Sequence, residues 1–195
     1  MELVTALLVG VPAQIAVFAL VPLAWWLQAG RPERSFLHWL GFHRPVGTPD
    51  QSVLIILAVC GLGFLGGALL ARPAVWVTST GGFMLVLAVA ITAVLQTALS
   101  EELFFRGFLL RWLAERRLGP VLCNVLQASV CGVLRMAAQW IFVNRDPVAC
   151  LAALALGAGA AFLAGRVRLR TGSVLLPWAA HGAGNLVAGL IVVVL

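Results

Sequence analysis

Six long apolar runs separated by short polar segments are the feature that most restricts this chain. They cover residues 3–27, 53–70, 82–99, 121–142, 148–165 and 173–195. A helix of about 20 residues crosses the hydrocarbon core of a bilayer. Inside that core every backbone N–H and C=O must be satisfied within the structure itself, which for runs of this length means helices. The expected fold is therefore all-α: a polytopic transmembrane helix bundle of about six to eight helices, with residues 1–195 forming a single membrane domain. Composition excludes the soluble alternative. Of the residues, 62% are hydrophobic and 10% charged, where a soluble domain carries roughly 25% charged residues. The first run is read as a span rather than a signal peptide, because Glu2 replaces a basic leader and the apolar stretch is too long.

The formal charge is +6, and every basic residue is arginine. Nucleic acid is not the expected partner, because the arginines share no face or tail. All but Arg135 sit between or at the ends of the apolar runs, in alternating numbers. Arg31, Arg34 and Arg44 follow the first run, and Arg72 the second. Arg106, Arg111, Arg116 and Arg117 follow the third, Arg145 the fourth, and Arg166, Arg168 and Arg170 the fifth. Arginine-rich loops are retained in the cytoplasm. With six spans, both termini are expected outside. Residues 1–80 then read as N-terminal transmembrane helices with a cytoplasmic interfacial loop. Within that loop, residues 35–44 (SFLHWLGFHR) suggest a short amphipathic helix along the interface. His38 and His43 are expected there without chemistry. Cys60, Cys123, Cys131 and Cys150 lie in apolar stretches, form no CxxC pair, and read as small buried residues. Glycine-rich stretches such as 61–67 (GLGFLGG) and 157–161 (GAGAA) are expected to be helix-packing surfaces.

Ionisable groups inside a span cost a few kcal/mol and are candidates for function. Three places qualify. Residues 100–107 (SEELFFRG) stand at the expected cytoplasmic end of the third span. Glu102 and Arg106 are i and i+4, the favourable order for an ion pair. Glu101 is left on a neighbouring face, where a carboxylate kept from water suits proton transfer. In the last span His181 and Asn185 are again i and i+4, and an imidazole and an amide can shuttle a proton or donate to an oxyanion. In the fourth span Arg135 has no acid at i±4, so it is expected to face a carboxylate on another helix, Glu101 or Glu102. Each also has a plain structural counterpart: an interfacial ion-pair cluster, an interhelical hydrogen-bond pair, and a structural salt bridge.

Glu101-Glu102-x-x-x-Arg106, followed in the last run by Thr171-Gly-Ser and His181-x-x-x-Asn185, resembles the CPBP family of CAAX proteases and bacteriocin-processing enzymes. These are glutamic-type intramembrane proteases that include the type II CAAX prenyl endopeptidases. The resemblance covers residues 85–191. It implies an intramembrane endopeptidase in which Glu101 activates water, Glu102 and Arg106 support it, and His181 and Asn185 hold the tetrahedral intermediate. It implies no cofactor and no metal, and the chain carries no HExxH. The implied partners are membrane lipids and a peptide or protein substrate or membrane-protein partner. The implied setting is the inner membrane of a bacterial cell.

The family's middle motif, FxxxH, falls here on Cys131-Gly-Val-Leu-Arg135, and no histidine lies between His43 and His181. Arginine stays protonated, cannot act as a general base, and weakens a neighbouring carboxylate as a proton acceptor. A catalytically inactive homologue, acting as a membrane binding, assembly or regulatory protein, is therefore the alternative. A small transporter is a third reading, but the chain shows no related halves.

Overall fold

The structure, a computed structural model, describes residues 6–29, 35–72 and 82–194. Seven helices carry the fold: α1 (Leu7–Gln28), α2 (Phe36–Leu40), α3 (Gln51–Ala71), α4 (Phe83–Ala114), α5 (Pro120–Val143), α6 (Pro147–Thr171) and α7 (Leu175–Val194). All but α2 are long and apolar enough to cross a membrane. No strand occurs among the described residues. The chain is an integral membrane protein of the all-α polytopic type, and side chains such as Leu20, Leu54, Leu62, Val121 and Leu151 stand exposed on its outside, where lipid would cover them.

Local chemistry sets the helix ends. Asp146 caps α6 by accepting from Val148 N and Ala149 N, both at 3.2 Å, with Pro147 at the first helical position. Gly172, at φ +66°, closes the same helix in the left-handed conformation. Asp50 caps α3 through Val53 N at 2.8 Å. The Ser52 hydroxyl and then that N–H hold its carboxyl below the usual carboxylate range. The turn Thr171-Gly172-Ser173 is a structural corner. Ser173 Oγ donates to His43 O at 2.5 Å, and Val46 N donates to Thr171 O at 2.9 Å. It pins the α2–α3 connection against the start of α7.

The helices close around a polar interior. α6 packs between α5 and α3, α3 also packs on α7, and α7 packs on the first half of α4. The second half of α4 returns to α5, while α1 lies along α4. Small residues set these crossings. A Cβ on Gly184 of α7 would collide with Gly61 O and stand 3.0 Å from Leu65 N, so α3 and α7 touch backbone to backbone. Gly63 faces Ala160 in the same manner across α3 and α6. The glycine runs read as packing surfaces are used that way. Gly184→Leu is expected to part α3 from α7 and cost on the order of 3 kcal/mol or more, read as loss of monodisperse protein in detergent. A variant as stable as the parent would show that the crossing is not tight.

Two expectations need correcting. The short helix expected along residues 35–44 covers only part of that stretch and packs one side on the bundle. Only Phe36–Leu40 is helical, and Trp39 and Leu40 are buried against Leu103 and Phe108. Leu40 sits over Gly107, where a Cβ would come within 3.2–3.3 Å of it. His38 and His43 stack on each other at 4.7 Å beside this helix. Arg31 and Arg34 lie outside the described residues. The third span also does not end at Leu99. α4 runs on to Ala114, and Glu101, Glu102 and Arg106 stand on that helix, as the apolar residues around them lead one to expect. The cause is local: Phe104, Phe105, Phe108, Leu109 and Leu110 keep the segment apolar beyond the charges. All four cysteines are free and buried.

Candidate active site

α4 is wound with wider i→i+5 turns over Ile91–Leu99 and again over Glu102–Leu109. Such turns are rare and leave backbone carbonyls less tightly held, and they recur at functional sites. Val94 O, in the first widened stretch, accepts from Trp178 Nε1 of α7 at 2.9 Å. Glu101 and Glu102 stand where the two stretches meet.

Glu102 and Arg106 are both fully buried, and Arg106 Nη1 lies 2.9 Å from Glu102 Oε1. The guanidinium also sits 5.7 Å from the Phe64 ring and 5.9 Å from Phe105, within reach of a cation–π attraction. This is the pair expected from the i,i+4 spacing. Glu102 Oε2 has no hydrogen-bond partner among the described residues.

α7 brings His181 to the same place. Its Nδ1 is 3.0 Å from Glu102 Oε1, and its Nε2 is 3.2 Å from Arg135 Nη2. A guanidinium can only donate, so Nε2 accepts and Nδ1–H donates to Glu102. The ring is neutral, with both nitrogens engaged. Phe64 of α3 stacks on it at 3.6 Å and 10°, which fixes its plane. Asn185, one turn on, is 2% exposed, and its Oδ1 has no partner among the described residues.

Arg135 reaches in from α5. Its Nη2 lies 2.7 Å from Glu101 Oε2, and the two side chains are 17% and 13% exposed. One nitrogen thus donates to the Glu101 carboxylate and to His181. Of the two carboxylates that the sequence offered for Arg135, Glu101 is the one it meets. Room for the arginine stem comes from Gly157 of α6, whose Cβ would stand 3.0 Å from Arg135 Cγ. The six residues Glu101, Glu102, Arg106, Arg135, His181 and Asn185 converge, although they come from three helices.

They form two layers. Glu101 and Arg135 line adjoining cavities, one of about 390 Å³ between α1, α4 and α5 and one of about 640 Å³ that also reaches α3 and α6. Glu102, Arg106, His181 and Asn185 line neither, and are fully or almost fully buried behind them. Sequence reasoning missed three participants. Gln14 of α1 lines both cavities, Gln139 lines the larger, and Phe64 holds His181. A glutamine within a span is the signal that could have marked the first two; nothing in an apolar run singles out one phenylalanine. Gln127 and Asn124, also passed over, clasp α5 to α6 through Ala161 O and Phe162 O. Among the described residues no three His, Cys, Asp or Glu side chains are grouped to hold a metal ion.

Paired carboxylates, two arginines and an imidazole thus meet inside a bundle of membrane-crossing helices. A family model described as type II CAAX prenyl endopeptidase Rce1-like matches residues 82–187, and the chain belongs to that family. The matched region runs from the start of α4 to the second half of α7 and contains all six converging residues. Searches of curated proteins and of solved structures give no match.

Proposed function

We propose that the protein is an intramembrane endopeptidase whose reacting groups are Glu101 and Arg135, with His181, Glu102, Arg106 and Asn185 holding them in place. The observation that supports this is the layering: of the six residues, these two reach the cavity. Arg135 takes Oε2 of Glu101, and Oε1 has no hydrogen bond among the described residues. A water on Oε1 would add to a peptide carbonyl while its proton passes to Glu101. The C–N bond would then break as Glu101 returns that proton to the leaving amine. Arg135 Nη1, 3.8 Å from where a Cβ on the cavity-lining Gly67 would stand, would donate to the oxyanion. This moves oxyanion stabilisation away from His181, whose two nitrogens are taken.

A second reading has its own support. The same arginine contact with both Glu101 and His181 suits a site that binds a membrane segment without cutting it. The setting in either case is an integral membrane protein, which we place in a bacterial inner membrane with the arginine-rich loops cytoplasmic.

Arg135→His separates the readings. Membranes from cells expressing wild type, Arg135→His or the Glu101→Gln, Arg135→His double variant are compared by mass spectrometry of newly formed peptide termini. The endopeptidase reading expects wild-type termini, about 10²-fold more in Arg135→His, and none in the double variant. Termini in Arg135→His with none in wild type would overturn cleavage by the natural protein and leave the binding reading.

A further inference from the structure

At the end of the bundle where α4 and α6 finish, two arginines grip one short turn. Arg111 of α4 donates from Nη1 to Trp39 O at 2.9 Å and sits 5.0 Å from the Trp39 ring. Arg168 of α6 lays its guanidinium on Gly41, where a Cβ would stand 2.6–2.9 Å from Nη2, Cζ and Nε. The turn itself is stitched to the start of α7, with Gly41 O accepting from Val174 N at 3.0 Å. The two charges are unevenly met. Arg111 has a partner in Glu115 at 3.2 Å, with both side chains at least 40% exposed, and a pair so open to water holds little. Arg168 is half-buried, and its Nε is buried without a hydrogen-bond partner. No carboxylate among the described residues pairs with it, and the charge that acts on it is the like charge of Arg111. Arg170, one step further along α6, is already engaged, donating from Nη1 to Ser52 Oγ at 2.6 Å.

A charge drawn out of water without a partner is costly, and a second cation beside it adds to the cost. An anion between the two relieves both. Two planar guanidiniums, held in place and with donors to spare, suit a phosphate, which they can bind through paired charged hydrogen bonds. Depth decides which phosphate. Arg111 and Arg168 each stand three residues before the last residue of a membrane-crossing helix, Ala114 and Thr171. Trp25 and Trp112, in edge contact at 6.4 Å, lie at the same end, and tryptophans in such places mark the level of the lipid headgroups. Arg116, Arg117 and Arg166 stand exposed around it, and a basic surface at that level draws anionic lipid.

We infer that Arg111 and Arg168 form a binding site for the phosphate of an anionic phospholipid, seated at headgroup level against the Trp39–Gly41 turn. Its occupancy clamps α2 onto α4, where Leu40 covers Gly107, the neighbour of Arg106. The site is separate from Glu101 and does not depend on cleavage. To test it, the protein in neutral detergent is titrated with phosphatidylglycerol, phosphatidylcholine or inorganic phosphate. Bound lipid is counted by native mass spectrometry, and thermal unfolding is followed in parallel. Phosphatidylglycerol is expected to bind and to raise the unfolding temperature, and the other two are not. Arg168→Gln is expected to weaken phosphatidylglycerol binding about tenfold, the loss of one charged hydrogen-bonded contact. Arg166→Gln, which removes the same charge from an exposed position of the same helix, is expected to bind as the parent does. If Arg168→Gln does not fold, Arg111→Gln must show the same selective loss. Equal binding of phosphatidylcholine, no binding of phosphatidylglycerol, or equal losses in Arg168→Gln and Arg166→Gln would overturn the site, the last by showing only diffuse attraction to a basic surface. Inorganic phosphate as effective as phosphatidylglycerol would overturn the assignment to lipid.

Discussion

Glu101→Gln is expected to abolish the appearance of new peptide termini, lowering cleavage by roughly 10²–10⁴-fold, while leaving the protein folded. The amide keeps the shape of the side chain and still accepts a hydrogen bond from Arg135 Nη2, now 2.7 Å from Glu101 Oε2. What it loses is the ability to take a proton from water. Its neighbour Glu102 cannot substitute, because Oε1 is held by Arg106 and His181 and the side chain is wholly buried. The measurement is terminus formation together with thermal unfolding of the purified variants in detergent. Equal termini from wild type and Glu101→Gln, at equal expression, would sink the assignment of Glu101 as base. A collapse in stability would instead mark the Glu101–Arg135 contact as structural.

The second large effect concerns the rear layer. Arg106→Met is expected to destabilise the bundle by about 3–5 kcal/mol, the usual cost of stripping the partner from a buried charge. Glu102 would stay at 0% exposure without its cation. Adding Glu102→Gln should recover most of that loss. It removes the charge, yet keeps an oxygen to accept from His181 Nδ1, 3.0 Å away. The cycle is read from reversible unfolding of the two single variants and the double variant. A loss under about 1 kcal/mol for Arg106→Met, or no recovery in the double variant, would show that the buried pair does not hold the site together. Because the rear layer lines neither of the two cavities that reach Glu101, Glu102→Gln alone should change cleavage less than Glu101→Gln does.

Much of the site was legible in local spacing. Glu102 and Arg106 lie one turn apart on one helix, and the helix makes their contact almost by construction. Arg135 had no partner at i±4, and an unpaired charge inside a span requires one from elsewhere; Glu101 supplies it. The extent of α4 was less legible. The apolar residues after Glu102 showed that the helix goes on past Leu99, but not how far, nor that Phe64, His181 and Arg135 come from other helices to meet its charges. Gln14 and Gln139 carried a signal as polar residues within spans, but their place, like that of Phe64, depends on how α1, α5 and α3 are rotated.

The sequence by itself determined that this is a bundle of membrane-crossing helices with a few ionisable residues inside it. Apolar length and backbone hydrogen bonding leave no other solution in lipid. Its motifs also determined which residues to watch. Only the tertiary structure decided that Glu101 and Arg135 stand in front and the other four behind. It also decided that His181 is held neutral between Arg135 and Glu102. Those facts depend on helix rotation and crossing, set by contacts such as Gly157 under Arg135 and Gly184 against Gly61. Such contacts join residues far apart in the chain, and no local pattern records them.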